Sequence, residues 1–390
     1  MKKILSALWI ILLISLIVAN FAEAKSTEKF SVIWSADVLS MNDSADSLLN
    51  CKDFSGKFIA RDRIAEALTQ KLHQLARDGN LPFELQESMS DYSLHAISGD
   101  DPIGLIPMAT LDTSFDTSYV ASGKTYYRSL IFCGLSIAIC AADPLNNSWK
   151  ILATIPLNGY DFIGDDINNP RTQPISQQEK AECFARIAVS MIRNDLDFSQ
   201  YKDRKLFRDL DLKSLGGEKF QTYQVTDVKL SSKKAQDVFR GREDEIKNIV
   251  AAFYTSNYQR RTRNIVYPPV TGAGSRWKQN VSQNLYTYQM QTPNGTINFS
   301  FESPDQKIQL DIYGLNSGEI DTEKRSEVKR DIIYKAWIRK FPEEKVSDLS
   351  DSTRRREIIT DNASINYDPA DVYTILLINI AGNLGSGKSK

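Results

Sequence analysis

Histidine is almost missing from this chain: two residues, His73 and His95, in 390. That scarcity excludes a histidine-rich zinc site. A serine–histidine–aspartate hydrolase would have to use one of the two, and no G-x-S-x-G elbow accompanies them. His73 falls on a polar helical stretch. His95 lies in DYSLHAISGDD, near Asp91, Asp100 and Asp101, where a metal-binding or catalytic histidine would sit. Cysteine is scarce too, with four residues and no C-x-x-C, so neither a redox nor a zinc motif is indicated. The calcium-loop spacing D-x-[DN]-x-[DN]-G does not occur. An excess of one charge is also lacking: 48 basic side chains face 49 acidic ones. This balance speaks against general nucleic-acid binding. Beyond the first two dozen residues, no run approaches the ~20 apolar residues of a membrane span.

The start of the chain is different. Lys2 and Lys3 precede the uncharged stretch Ile4 to Val18, and Ala22-Glu23-Ala24 follows. This is the pattern of a secretory signal peptide cleaved after Ala24, with an uncleaved anchor as the rival reading. No cysteine stands at the cleavage point to carry a lipid. The expectation is an exported bacterial protein, in a compartment that permits disulfides. Cys133 and Cys140 lie seven residues apart on an expected strand, about 23 Å apart and on opposite faces. Any bridges would therefore pair Cys51 with one of them and Cys183 with the other. The alternative is that all four are small buried thiols.

The length leaves room for about two domains. The first half is net acidic and the second net basic, and SLGGEKF near 214–220 marks the expected boundary. In residues 25–215, strands are expected at Phe30–Ala36, Leu81–Leu85 and Ile103–Leu111. Ile64, Leu68, Leu72 and Leu75 recur at helical spacing, and Gly79 stops that helix. TYYRSLIFCGLSIAICAA reads as a long strand buried on both faces, with Trp149–Leu157 as its hairpin partner. Ser176 with Glu179 forms a capping box that opens a helix facing inward through Cys183, Phe184, Ile187 and Met191. In residues 216–381, a strand at Phe220–Leu230 leads to a helix through Ile246, Ile249, Val250 and Phe253. A proline-bearing strand, NIVYPPV, follows. Asn294-Gly295 signals a hairpin, Lys307–Tyr313 a further strand, and Val328, Ile332, Ile333, Ala336 and Trp337 a helix from about Asp321 to Lys340. That helix matches the spacing at 183–192, and ADPLNNSWKILATIPLNG aligns loosely with SPDQKIQLDIYGLNSG. A duplication is one reading of these likenesses.

Near the C-terminus, GNLGSGKS (Gly382–Ser389) satisfies G-x-x-x-x-G-K-[ST] behind a strand-like run, Ile375–Ile380. A phosphate loop needs a helix after it to bind the phosphates. Only Ser389 and Lys390 reach past Lys388, so residues 382–390 are expected to be a flexible tail, with no nucleotide bound. Carboxylate pairs occur at Asp165-Asp166, Asp195-x-Asp197 and Asp209-x-Asp211. A glycosidase needs two such groups across a cleft, but a solvated linker also explains them. Two basic clusters, Arg260, Arg261 and Arg263 and then Arg354, Arg355 and Arg356, precede apolar runs. They offer an anionic partner a surface if they meet, or they guard strand edges against aggregation.

The order strand, RIAEALTQKLHQLARDGN, LPFELQE, IGLIPMATLD, hairpin and closing helix over residues 30–195 resembles the α/β module of periplasmic assembly proteins. These are the curli-secretion lipoprotein family, the TolB N-terminal domain and the flagellar assembly protein T. The resemblance implies a non-enzymatic envelope protein that binds partners through sheet edges and loops. The lipid-anchoring cysteine of the curli family is absent, and with it any implied pore. The combined expectation is two tandem α/β sandwich-like domains with helices on mixed or antiparallel sheets. No cofactor and no nucleic acid are expected. The partner would be an envelope protein or an anionic envelope component, with membrane contact only through an uncleaved leader. Candidate contacts are the six arginines, Tyr126 and Tyr127, and the segment IPMATLDTSFDTSYVASGKTYYRS, taken as a loose loop. The alternative function is hydrolysis of envelope glycan by paired carboxylates of the first domain.

Overall fold

The computed structural model describes residues 30–35, 37–41, 47–81, 83–88, 103–121, 123–143, 148–164, 171–198, 221–262, 264–270, 287–292, 295–324, 327–341, 352–359 and 369–387. The leader, His95, Asp165-Asp166, Asp209, Asp211, Arg263 and the expected boundary at 214–220 lie outside them.

The first unit opens with β1 (Phe30–Trp34) and the short β2 (Leu39–Ser40). Helix α1 (Ile59–Arg77) follows, burying Ile64, Leu68, Leu72 and Leu75 at the expected spacing. Gly79 takes a φ of 66° just beyond it and closes its last turn. Then come β3 (Phe83–Ser88), β4 (Ile103–Ala121), β5 (Lys124–Asp143) and β6 (Ser148–Ile163). Helix α2 (Gln177–Asp195) closes the unit, and its capping box of Ser176 and Glu179 is formed. β5 is buried from Arg128 to Cys140, as a strand covered on both faces must be. The supposed loose loop from Ile106 to Ser129 is instead the body of the β4–β5 hairpin, its residues paired from Ile103↔Ala141 to Ala121↔Lys124. Its Thr, Ser and Tyr content reads as polar, yet Thr and Tyr favour strands, and a solvated face accepts Ser.

The second unit starts with β7 (Thr222–Leu230), the short helix α3 (Lys233–Val238), α4 (Glu243–Thr262) and β8 (Ile265–Val266). A hairpin follows, β9 (Thr287–Thr292) and β10 (Gly295–Ser300). Then come β11 (Gln306–Lys324), β12 (Glu327–Phe341), β13 (Ser352–Ile359) and α5 (Pro369–Ser386).

Two expectations here are overturned. The helix at Asp321–Lys340 is the β11–β12 hairpin. Tyr334, Ala336 and Ile338 are buried at period two, and strand pairing with β11 decides the matter. The strand-like run Ile375–Ile380 lies within α5, which continues through Gly382–Ser386 before Gly387 ends it at φ 68°. That part of the expected flexible tail is therefore helical.

The strand topology repeats between the two units. β1 pairs parallel with β3 and β4, as β7 pairs parallel with β8 and β11. From there each unit runs as an antiparallel meander, β4-β5-β6 or β11-β12-β13, and ends in a helix, α2 or α5. The strand orders β3-β1-β4-β5-β6 and β8-β7-β11-β12-β13 are therefore equivalent. The matching inferred from sequence was out of register: β11 corresponds to β4, not β6, and α5 to α2.

The units are not separate beads. The β9–β10 hairpin, an insertion in the second unit, joins the first sheet as Phe299 pairs parallel with Trp149 of β6. One core packs α1 and α2 on the first sheet. The other gathers Leu111, Phe115, Leu130 and Phe132 from the opposite face of that sheet with α4, α5 and the inner face of the second sheet. The layers run helices, sheet, helices, sheet. α4 and α5 sit between two sheets, which explains their burial on nearly every side. All four cysteines are free thiols, with Cys133, Cys140 and Cys183 buried.

Candidate partner-binding surfaces

Among the described residues, the β4–β5 hairpin outruns its neighbouring strands. β6 stops at Ile163, opposite Ser129, while β1 and β2 reach β4 only as far as Leu105 and Ala109. The stretch from Thr117 to Arg128 therefore forms an arm. Near its end Tyr119 and Tyr126 are register partners whose rings stack, centroids 5.3 Å apart. Val120 is 46% exposed beside them. Tyr127 is half-buried, and its amide donates to the Arg171 carbonyl at 2.9 Å. Gly164 passes so close that a Cβ there would lie 2.4 Å from the Tyr127 carbonyl oxygen.

The root of the arm is clamped from two layers. The Asp116 carboxylate accepts from the Ser129 hydroxyl at 2.7 Å and pairs with the buried Lys180 ammonium of α2. Arg242, ahead of α4, donates to the Asp116 carbonyl at 3.0 Å and stacks over Phe115. Next to it, Arg128 forms an ion pair with Asp371 of α5 at 3.4 Å and lies 4.3 Å from the Phe162 ring. Both members are buried, so the pair is screened little by solvent. None of these pairs was legible in sequence, since their members are far apart along the chain. A lysine on the otherwise apolar face of α2 was the only local sign.

The two arginine clusters are placed apart. Arg260 and Arg261 are in the last turn of α4, which leads into β8 at one end of the second sheet. Arg354, Arg355 and Arg356 are on β13, at the other end, paired in register with Ile333, Ile332 and Asp331. Four strand spacings, about 19 Å, separate the two ends. Arg260 pairs with Asp195 at 3.7 Å. Arg261 stacks on Tyr258 and lies against Gly387, at the C-terminal end of α5, where a cation meets the helix dipole favourably. A terminal strand is where charged residues guard against edge pairing.

The glycines of the phosphate-loop pattern have another task. A Cβ on Gly385 would lie 2.6 Å from the Tyr254 carbonyl oxygen of α4, and one on Gly382 would meet Asn257 at 3.2 Å. They let α5 approach α4 closely. Of the suspected carboxylates, Asp195 is committed to Arg260. Glu245 of α4 was not singled out in sequence. Burial pushes its carboxyl up, and the charges of Asp244 and Asp116 add to this against Arg242. His73 is exposed and stands edge-on to Trp34. Among the described residues no cluster of three metal-ligating side chains occurs, and no helix is long and apolar enough to cross a membrane. The chain matches no protein-family model and no curated protein.

Proposed function

We propose that this chain is an exported envelope protein that binds or assembles with a partner through the β4–β5 arm and the edges of its sheets. The clamped arm carries the reading. Lys180 and Arg242 hold its root from two helical layers, and its far end presents a stacked tyrosine pair beside an exposed valine. Amphipathic, rigid tyrosines lose little entropy on docking. β13, whose sequence carries three arginines, is the last strand in the described order of the second sheet and is the second candidate edge, for an anionic component. A photo-crosslinking residue at position 120 tests the reading in cells. The expected result is a discrete adduct in the envelope fraction from position 120 and none from position 66 on α1. Equal labelling from both positions, or cytosolic recovery of the chain with no adduct, would refute it.

The second reading is hydrolysis of envelope glycan. Glu245, with its raised carboxyl beside Asp116, is the observation in its favour. Both Asp116 oxygens are already engaged by Ser129 and Lys180, which leaves that carboxylate poorly placed as a nucleophile. Glycan cleavage abolished by Glu245→Gln would reverse the preference.

A further inference from the structure

Among the described residues, one large apolar side chain stands wholly outside the fold. Phe54 is 101% exposed, against 46% for Val120 and 37% for Phe341. It is not on a slack loop. Asp53 Oδ1 accepts from the Ser55 amide at 2.8 Å, the Ser55 hydroxyl at 2.7 Å and the Lys57 amide at 3.0 Å. The Asp53 amide donates to the Lys57 carbonyl at 2.9 Å, and the Gly56 amide to the Asp53 carbonyl at 3.0 Å. Gly56 supplies the left-handed step at φ 83° that closes the turn. Lys52 and Phe58 bridge its base. Five hydrogen bonds thus hold a five-residue turn, Asp53–Lys57, whose tip is a phenyl ring in water. Leaving that ring exposed forgoes the stabilisation of burying it, and the fold then spends side-chain hydrogen bonds on fixing its direction.

The base of the turn is basic. Lys52 Nζ lies 4.7 Å and the Arg61 guanidinium 5.1 Å from the Phe58 ring centroid, and Lys57 is exposed on the returning limb. Asp53 directs Oδ1 into the turn, and Asp37 partners Arg61 at 3.7 Å. The result is one apolar tip above a collar of cations.

We infer that the Asp53–Lys57 turn is an interfacial anchor, with Phe54 entering the headgroup–acyl boundary of a bilayer while Lys52 and Lys57 meet anionic lipid headgroups. A protein hot spot would be ringed by further apolar contact surface, whereas the turn's other residues here are Asp, Ser, Gly and Lys. A single ring above ammonium groups suits a layered interface, apolar inside and anionic at its surface. The inference does not depend on the hairpin arm, and it adds a membrane contact that requires no leader.

The test is partition of the full chain onto vesicles of phosphatidylcholine with and without phosphatidylglycerol, by flotation. Any contribution from the leader is common to all variants. Phe54→Ala is expected to reduce partition onto the anionic vesicles about tenfold, the scale of one buried aromatic side chain. Exchange of Lys52 and Lys57 for alanine is expected to remove most of the preference for the anionic lipid. In Phe54→Trp, a blue shift relative to the native chain is expected on adding those vesicles. Since the Phe54 side chain is wholly exposed, the two position-54 variants keep the native melting temperature. Unchanged partition of Phe54→Ala, equal binding to both vesicle types, or an unshifted Trp spectrum would each overturn the inference.

Discussion

At the residue scale, the buried carboxylate of Asp112 shows how a polar group can be structural. It accepts from the Ser47 hydroxyl, the Leu48 amide at 2.8 Å and the Leu49 amide at 3.1 Å, and so holds a turn against β4. Burial pushes its pKa up, with these same bonds opposing. Asp112→Ala leaves two amides and a hydroxyl without an acceptor in the interior. It should cost about 2–4 kcal/mol, read as a lower denaturant midpoint. The capping box of α2 gives a pH signature. The Ser176 amide is the main cause holding Glu179 below the usual carboxylate range, with the Ser176 hydroxyl and Arg171 adding and burial opposing. A depressed carboxylate stabilises the fold above its unfolded pKa, and that contribution is lost as pH falls through the folded value. Glu179→Ala should therefore be less stable than the native chain at neutral pH, by about 1 kcal/mol. The two melting curves should converge in acid. The capping box was legible in sequence because its partners are three residues apart. Asp112 and Lys180 were not, because theirs are more than 60 residues away.

At the element scale, local signals succeeded for the one-sided helices and for the long buried strand β5, and failed at α5 and β12. α1 and α2 face one sheet and show a clean helical stripe. α5 is buried between α4 and the second sheet, so its apolar run carries no period, and six of its residues pass equally for a strand. β12 failed for another reason. Its apolar positions 328, 332, 333, 336 and 337 fit a helix by spacing, while the buried set 334, 336 and 338 fits a strand. Only the pairing partner, more than a dozen residues upstream, separates the two. The α4–α5 contact yields a prediction against simple propensity. Alanine normally improves a helix over glycine by about 1 kcal/mol. At Gly385 the added methyl meets backbone atoms at 2.6 and 2.9 Å that cannot swing aside. Gly385→Ala should instead destabilise by about 1–3 kcal/mol, seen as a lower melting temperature.

At the scale of the whole molecule, the two equivalent units complete each other. The first sheet needs helices on both faces; α1 and α2 supply one layer, and the second unit's α4 and α5 supply the other. Two more ties cross the expected boundary: Gln259 donates to the Thr154 carbonyl at 3.2 Å, and Thr154 donates to the Val266 carbonyl at 2.8 Å. The charge difference between the halves, net acidic against net basic, is not a mark of the repeat, which lies in the strand order. That difference carries no information on whether the units share a core, because that depends on Leu111, Phe115, Leu130 and Phe132 facing α4 and α5 across the fold. Residues 25–215 expressed alone would present those four side chains to water and leave β6 without β10. An apolar patch of that kind drives association. The fragment should aggregate or bind a hydrophobic dye strongly, whereas the whole chain should unfold in one cooperative transition. A soluble fragment with its own sharp transition and no dye binding would show that the shared core is dispensable and that each unit folds for itself.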